Sequence, residues 1–242
     1  MMVKRIILIL FLAPTLLFAQ SELDDYQSEF VWGINKNTAG GLIGGFTFRK
    51  SRKISENMFQ SLGLEIVNLK HSQETQARSI TGSTYIFGKT NYLYAFRFQY
   101  GRELILFRKA PQQGVEIKAL MAVGPTLGLH APYYIEVSPD GGASINNTKR
   151  EQYDPNNRSH TLGNILGTGY LLQGIYESNL KLGANLKAGL SFELGTIKSN
   201  VTGFEIGALV DAYTDKIKLL SGAENRAIYP TAYITIFYGT RR

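Results

Sequence analysis

The sequence predicts an all-β fold, an antiparallel up-and-down transmembrane β-barrel of eight strands, and three observations lead to it. Apolar and polar residues alternate with a period of two along several stretches, as they do in β-strands. Along the chain, short and long connections mostly alternate between these stretches, as they do in membrane barrels. Beyond the first twenty residues, no apolar run approaches the roughly 20 residues that a membrane-spanning helix needs.

The N-terminal residues predict export and are set apart from the fold. Lys4 and Arg5 precede an apolar run over residues 6–18, and the small residue Ala19 stands where cleavage is expected. We therefore predict a signal peptide over residues 1–19, cleaved near Ala19, and one barrel domain over residues 20–242. Removal of Lys4 and Arg5 lowers the formal net charge from +7 to +5, which suits anionic lipid headgroups but is too small for a nucleic-acid-binding protein.

The longest uninterrupted alternation runs from Leu180 to Gly195, with leucine, alanine and phenylalanine on one face. A helix would distribute these leucines around its whole surface, so this stretch predicts a strand. The same criterion yields eight strands: Glu29–Asn35, Gly41–Arg49, Met58–His71, Asn91–Lys109, Gly114–His130, Leu180–Gly195, Val201–Ala212 and Thr231–Gly239. Short connections follow strands two, four and six, and long ones follow strands three, five and seven, which predicts both chain ends on the short-turn side.

Alternation alone does not decide which face of the barrel meets lipid, because a soluble, lipocalin-like barrel also alternates. Two features favour a transmembrane barrel over a soluble one. Of the two alternating sets of strand residues, the polar set is rich in glycine, which suits the crowded interior of an eight-stranded barrel. The opposite set is rich in aromatic residues, which form girdles at membrane interfaces. The residues that we predict to face lipid are Trp32, Tyr92, Tyr94, Phe96, Phe98 and Tyr100.

Taken together, these features resemble the small eight-stranded outer-membrane β-barrel proteins of Gram-negative bacteria, many of which have no assigned function. The resemblance covers the export segment, the eight strands and the closing run at residues 233–238, which is similar to a barrel assembly signal. The chain departs from the usual pattern because it ends in Gly-Thr-Arg-Arg rather than on an aromatic residue. The resemblance implies a location in the outer membrane and says little about activity.

Ionisable residues collect on the predicted inward face in nearly equal numbers. The basic ones are Arg49, Arg97, Lys118, Lys181 and Lys187, and the acidic ones are Glu65, Glu103, Glu116, Glu193, Glu205 and Asp211. They are open to two interpretations, a polar conduit or an interior sealed by paired charges. Balance of the signs and the narrow interior favour sealing. We predict that seven of them form one lumenal network: Glu65, Arg97, Glu116, Lys118, Lys187, Glu193 and Glu205.

The connection at residues 131–176 is too long for a simple connector. Its later part, residues 162–172, is apolar and has three interpretations: an extension of strand six, a plug or lid, or a docking surface for another membrane protein. Strand extension is the commoner outcome and is favoured. For the docking surface, the predicted partner residues are Leu162, Ile165, Leu166, Tyr170, Leu171 and Leu172.

The three histidines are the natural candidates for catalysis. Some outer-membrane barrels are lipid A hydrolases or acyltransferases with a histidine and a serine near the outer rim. Here the adjacent pairs at residues 71–72 and 159–160 would point to opposite faces of a strand. A triad drawn from His130, Ser159 and Glu136 is the enzymatic alternative that remains. No metal-ligand spacing occurs, so we predict no catalytic residues, cofactor or metal.

The leading function is a non-enzymatic outer-membrane barrel, either structural or an accessory subunit of an envelope or secretion complex. The alternatives are a lipid-modifying enzyme and a small pore, and the narrow, charge-balanced interior disfavours the pore. Expected partners are outer-membrane lipids and another envelope protein, without nucleic acid. The basic segment Arg49–Lys53 is predicted as a turn that either attracts phosphates or a periplasmic partner, or is simply solvated.

Overall fold

The computed structural model describes residues 26–40, 44–109, 114–138, 147–170, 172–194 and 199–242, so the predicted signal peptide lies outside the described residues. The strands of the barrel are β1 (Ser28–Asn37), β2 (Gly45–Ser55), β3 (Met58–Leu69), β6 (Asn91–Phe107), β7 (Val115–Pro132), β11 (Asn179–Leu194), β12 (Asn200–Ile217) and β13 (Arg226–Arg241). Shorter strands in the connections are β4 (Gln76–Arg78), β5 (Thr84–Ile86), β8 (Tyr134–Val137), β9 (Lys149–Gln152) and β10 (Ile165–Thr168).

The barrel closes because β1 pairs with both β2 and β13. The eight strands follow one another around the ring in chain order, and each neighbouring pair is antiparallel. Closure leaves the ring without an unpaired edge, which a sheet in lipid requires. The predicted fold class, an antiparallel up-and-down barrel of eight strands, is confirmed.

The connections differ between the two ends of the barrel. At one end, which we call the turn end, lie the first residue of β1, the last residue of β13 and the connections 56–57, 108–114 and 195–199. At the opposite end, the loop end, lie the connections 38–44, 70–90, 133–178 and 218–225. The long connections are therefore all at one end, as predicted.

The second strand differs most from its predicted bounds. The turn predicted for the basic segment is wrong, because β2 continues to Ser55 and pairs with β3 along its whole length. Alternation simply continues through the basic residues. As a result, Arg49 points into the barrel and contacts Glu103, whereas Lys50 and Arg52 are exposed on the outside.

The two faces of the wall differ as the alternation predicts. Along β13, Tyr233, Thr235 and Phe237 point inward and are buried, whereas Ile234 and Ile236 point outward and are exposed. The other barrel strands repeat this pattern, with exposed leucine, isoleucine, phenylalanine and tryptophan on the outside. An apolar exterior of this extent around a charged interior is the arrangement of a transmembrane β-barrel.

A second, smaller sheet lies at the loop end. It has the antiparallel order β10-β8-β9, and the hairpin β4-β5 packs beside it. We call these five strands the loop-end module. Its apolar core consists of Tyr85, Tyr133, Ile135, Val137, Tyr153 and Ile165. None of the helical segments in the described ranges is long and apolar enough to cross a membrane.

The interpretation of residues 162–172 as an extension of strand six is wrong. Ile165–Thr168 does form a strand, but it pairs with β8 of the loop-end module. A 3-10 turn at Ile175–Glu177 lies between it and β11. Ile165 of this segment completes the module core and Leu166 is also buried, which is more favourable than exposing these two side chains on a lone extended strand.

Candidate functional site: the barrel interior and the loop-end module

A chain of alternating acidic and basic side chains crosses the barrel interior. Arg97 on β6 lies between two carboxylates, with Nη2 2.6 Å from Asp211 Oδ2 and Nη1 3.1 Å from Glu65 Oε2. Lys187 on β11 continues the chain, because its Nζ lies 2.5 Å from Glu65 Oε1 and 2.9 Å from Glu205 Oε1. All five side chains are buried.

Arg49 on β2 extends this chain toward the turn end. Its guanidinium contacts Glu205, and its Nε lies 3.1 Å from Glu103 Oε1. The Ser51 hydroxyl donates a hydrogen bond of 2.7 Å to the same Glu103 oxygen. We call this set the central chain: Asp211, Arg97, Glu65, Lys187, Glu205, Arg49 and Glu103. Each cation lies between two carboxylates, which is the condition under which buried charges are tolerated.

A second set of charges fills the turn end of the interior, and we call it the turn-end group: Glu29, Lys109, Glu116, Lys118, Glu193 and Arg241. Arg241 is its centre. Its Nε lies 3.0 Å from Glu29 Oε2, its Nη2 lies 2.9 Å from Glu116 Oε1, and it also contacts Glu193. Lys118 Nζ lies 2.9 Å from the same Glu29 oxygen.

Aromatic side chains cover the turn-end group. Tyr26 stacks on Phe59 with 4.9 Å between ring centroids. The Arg241 guanidinium lies 3.9 Å from the centroid of the Tyr26 ring, and the Tyr26 hydroxyl donates a hydrogen bond of 3.0 Å to Glu116. Among the described residues, Tyr26 and Phe59 thus cover the turn-end group with packed aromatic rings.

An apolar layer lies between the central chain and the loop end. Its buried members are Val67, Leu69, Leu93, Ala95, Tyr213, Ile217, Leu219 and Tyr229. Tyr213 and Tyr229 meet edge to face at 5.9 Å between centroids. The described members of this layer are aliphatic and aromatic side chains, and they pack between the ion pairs and the loop end.

Two glycines make room for a tyrosine beside the central chain. A Cβ at Gly189 would lie 2.5 Å from the Tyr233 Oη, and a Cβ at Gly207 would lie 2.8 Å from the same atom. The Tyr233 hydroxyl donates a hydrogen bond of 2.8 Å to Glu205. Lys187 Nζ lies 4.5 Å from the centroid of the Tyr233 ring. Glycine is required here because the ring fills the space that a side chain would take.

The structure distributes the seven residues of the predicted network over two groups. Glu65, Arg97, Lys187 and Glu205 belong to the central chain. Glu116, Lys118 and Glu193 belong to the turn-end group. Among the described residues, no salt bridge joins the two groups, because they lie at different levels along the strands.

Sequence reasoning omitted two buried members of the turn-end group, Glu29 and Arg241. Glu29 is in phase with the inward residue Val31, and Arg241 is in phase with Phe237. Continuing the alternation of the last strand by two residues would have identified Arg241. Lys181, by contrast, belongs to neither group and pairs with the exposed Asp215 at 3.3 Å.

Five of the six residues predicted to face lipid lie on the barrel exterior, and they differ in how exposed they are. Trp32, Phe98 and Tyr100 are each nearly half exposed on the exterior, and Trp32 lies edge-on to Tyr238 at 6.2 Å. Phe96 and Tyr94 are partly buried on the same face.

Tyr92 differs from the others, because it lies at the loop end of β6. Its ring stacks on Tyr94 at 5.7 Å and meets Tyr133 of the module core edge to face at 5.3 Å. Lys89 Nζ lies 4.6 Å from its ring centroid. Tyr92 therefore contacts protein where the prediction placed lipid, since β6 extends into the base of the loop-end module.

Of the residues predicted to contact a partner protein, some are buried and others are exposed. Ile165 is fully buried in the module core and Leu166 is 4% exposed, so neither side chain is available to a partner. Leu162, Tyr170 and Leu172 are 58%, 68% and 49% exposed. Leu171 lies outside the described residues. The surface available for docking is thus smaller than the sequence predicted.

Each histidine connects segments of the loop end. His71 Nε2 lies 3.3 Å from the Glu224 carbonyl oxygen, and His130 Nε2 lies 2.8 Å from the Lys218 carbonyl oxygen. His160 Nε2 lies 2.8 Å from Glu151 Oε1, and its ring stacks on Tyr153. These contacts indicate that the histidines order the connections.

The members of the alternative triad each have other partners. The Ser159 hydroxyl donates to Asn157 at 2.7 Å, and Glu136 accepts a hydrogen bond of 2.8 Å from Thr148. His130 lies against Lys218, as described above. The hydrogen bonds that a nucleophile and its base would share are therefore not formed. Within the described ranges, no cluster of histidine and carboxylate groups could hold a metal ion.

A buried ion pair ties two loop-end connections together. Lys89 Nζ lies 2.8 Å and 2.9 Å from the two carboxylate oxygens of Glu74. Burial lowers the pKa of Lys89 from its usual value, although the Glu74 carboxylate acts in the opposite direction. Lys89 also forms a β-bridge with Leu220. The pair holds the base of the loop-end module against the connection at 218–225.

No protein-family model and no curated protein sequence matches the chain. Among solved structures, it is similar to Ail, the attachment invasion locus protein of Yersinia pestis, at 8% identity and a TM-score of 0.38, over 90% of this chain and 100% of that one. A second structure of Ail, in complex with the heparin analogue sucrose octasulfate, gives 9% identity and a TM-score of 0.37 over the same shares.

Neisserial surface protein A gives 7% identity and a TM-score of 0.36, over 90% of this chain and 97% of that one. Similarities this distant carry no argument about activity or ligands. By its own strand pairing and its apolar exterior, the chain is an eight-stranded antiparallel transmembrane β-barrel.

Proposed function

We propose that this protein is a non-enzymatic outer-membrane β-barrel that serves as a structural element or as an accessory subunit of an envelope complex. The closed interior carries this proposal. In the central chain each of three cations contacts two of four carboxylates, aromatic rings lie over the turn-end group, and an apolar layer lies toward the loop end. An interior filled in this way stabilises the wall, which favours a structural role over catalysis or conduction.

The loop-end module supports the accessory role. Its strands share a core, so its surface is preorganised and a partner would not have to order flexible loops on binding. Tyr170, Leu172 and Tyr176 are large exposed side chains near one another in the chain. The Arg150 guanidinium lies 3.9 Å from the Tyr170 ring centroid. Tyrosine and arginine are the residues that most often dominate protein interfaces.

Site-specific photo-crosslinking in intact cells tests the accessory role. A photoreactive residue at Tyr170 should give one discrete adduct of higher mass, because this exposed side chain would lie against the partner. The matched position is Leu186, which faces lipid in the middle of β11 and should give none. Absence of an adduct at both positions, together with a monomeric size in mild detergent, would contradict an accessory subunit and leave a purely structural barrel.

A further inference from the structure

Two arginines form a cross-strand row on the barrel exterior toward the turn end. Arg52 on β2 pairs with Ser28 on β1 and with Gln60 on β3, and Gln60 pairs with Arg102 on β6. Arg52 and Arg102 are both exposed. Since neighbouring strands lie about 4.8 Å apart, their Cα atoms are about 10 Å apart.

Lys50 adds a third cation to this exterior face. It follows the same outward phase of β2 as Arg52 and is exposed. It pairs with Leu62 on β3, and Leu62 pairs with Tyr100 on β6. We call Lys50, Arg52 and Arg102 the cationic face.

The cations of this face have no acidic partner among the described residues, which form no salt bridge with any of the three. Their exterior neighbours in the pairing, Gln60, Leu62 and Tyr100, are uncharged. Arg102 instead lies over the Tyr100 ring, 5.8 Å from its centroid. The contrast with the interior is sharp, because every cation of the central chain contacts two carboxylates.

The cationic face borders the part of the wall that contacts lipid. On the loop-end side of Arg102 along the same strand, Tyr100 and Phe98 point outward and are 47% and 44% exposed, and on its turn-end side Leu104 and Leu106 are also exposed. In the neighbouring outward row, Trp32 pairs with Phe48. A cation without a partner at this depth is unfavourable in the apolar region but becomes favourable where it meets an anionic headgroup.

Charge is unevenly distributed around the barrel. Near the turn ends of β7 and β11, the outward residues are apolar: Val115, Ile117, Leu190, Phe192 and Leu194. If cations formed a uniform belt around the barrel at the membrane interface, they would also occur on the β7–β11 side. Concentration on the β2–β3–β6 side therefore indicates a localised site for an anion.

We propose that the cationic face binds the phosphate groups of anionic phospholipids in the membrane leaflet at the turn end. The guanidinium groups of Arg52 and Arg102 can each donate two hydrogen bonds to a phosphate, and Lys50 adds a point charge between the arginine row and the apolar wall. Acyl chains attached to the bound headgroup then lie along Trp32 and Phe48. A lipid headgroup is favoured over free phosphate because the cations adjoin the apolar wall.

Fluorescence of Trp32, the only tryptophan, offers a direct measurement. The folded full-length protein is placed in phosphatidylcholine vesicles that contain a small fraction of phosphatidylglycerol with brominated acyl chains, which quench tryptophan on contact. We expect phosphatidylglycerol to be enriched about fivefold to tenfold beside Trp32 at low ionic strength, compared with brominated phosphatidylcholine at the same fraction. Enrichment should decrease as salt is added.

The variant Lys50→Gln, Arg52→Gln, Arg102→Gln should reduce the enrichment to that of random mixing. A matched variant, Arg78→Gln, Arg158→Gln, Lys216→Gln, removes the same charges from exposed loop-end positions and should retain the enrichment. If the triple variant does not fold, Arg52→Gln alone should lower the enrichment at least twofold. Equal quenching by the two brominated lipids in the wild-type protein, or equal enrichment in all folded variants, would overturn the proposal.

Discussion

At the scale of single residues, the stability of the barrel interior depends on the partners of each charged side chain. Arg97 is 1% exposed and contacts two carboxylates on two other strands. A buried cation in such a position compensates the charge of its partners, so its removal leaves a buried charge with less compensation. Arg102 lies on the same strand only five positions away, yet it points outward and is exposed. The same residue type thus has opposite energetic roles on the two faces.

The substitution Arg97→Met should therefore destabilise the barrel by about 3–5 kcal/mol, because Asp211 would lose its cation in the interior and Glu65 would keep only Lys187. Urea titration in detergent, followed by the heat-dependent shift of the folded barrel on electrophoresis, measures this change. Arg102→Met is the matched control and should change the free energy of unfolding by less than about 1 kcal/mol. Equal stability of Arg97→Met and the wild type would contradict the pairing.

Gly189→Ala tests the space beside Tyr233. The added Cβ would lie within 2.5 Å of the Tyr233 hydroxyl, so the ring or the strand must shift. We expect a loss of about 1–3 kcal/mol in the free energy of unfolding, as for other overpacked cores. Gly163→Ala is the control, since nothing lies within 4 Å of a Cβ there. Similar stability of the two variants would show that the interior is less tightly packed than described.

At the scale of elements, the loop-end module is a sheet with its own core, attached to barrel strands that run past the wall. Its apolar side chains come from both long connections, at residues 70–90 and 133–178. Tyr133 illustrates the coupling, because its hydroxyl oxygen accepts a hydrogen bond of 3.0 Å from the Ile86 backbone N–H. We therefore expect the module to loosen as a unit when its core is disturbed, while the barrel remains closed.

Ile165→Ala should loosen the module at a cost of about 2–5 kcal/mol, because a fully buried side chain is truncated. Limited proteolysis of residues 147–170 should become faster, whereas the electrophoretic shift of the folded barrel should remain. Leu162→Ala removes a 58% exposed side chain from the same segment and should leave proteolysis unchanged. Equal protection in both variants would contradict the assignment of Ile165 to the core.

The tyrosines of the module core make it sensitive to alkali. Burial raises the pKa of Tyr133 from 10 to about 12. Between pH 10 and 12 the folded module retains a proton that the unfolded chain releases, so its stability is full below pH 10 and falls as pH rises through this window. Amide hydrogen exchange in β8 should accelerate above pH 10 beyond the intrinsic increase, and exchange in β11 should serve as the internal reference. Parallel acceleration in both strands would contradict a local origin.

At the scale of the whole molecule, the barrel is a closed body with different functions at its surfaces. The described interior charges are paired and lie between an apolar layer and a cluster of apolar side chains at the turn end, the exterior is apolar, and a folded module lies at the loop end. Closure by β1 and β13 joins the two ends of the chain, which explains why Arg241 can lie at the centre of the turn-end group beside Glu29. The molecule combines a rigid membrane wall with a preorganised surface.

A closed interior predicts that the wild-type barrel does not conduct ions. In planar bilayers, the folded protein should give no stepwise conductance above background, because the ion pairs and the apolar layer leave no continuous aqueous path. The comparison is a variant with alanine in place of Leu69, Leu93 and Leu219. These substitutions remove side chains from the apolar layer and leave the residues of the ion pairs unchanged. Reproducible steps from the wild type would instead favour a small pore.

The sequence by itself determined the eight strands, their antiparallel order and the face on which each residue lies. These properties follow from a period of two, which is local and strong. It could not determine which inward charges pair, because Asp211, Arg97 and Glu65 come from three strands whose levels are set only by register. It also could not show that Ile165 joins Tyr85 and Tyr133 in a separate core, since this contact spans two connections. The tertiary structure decided both, because pairing and packing depend on distances between strands that no local pattern encodes.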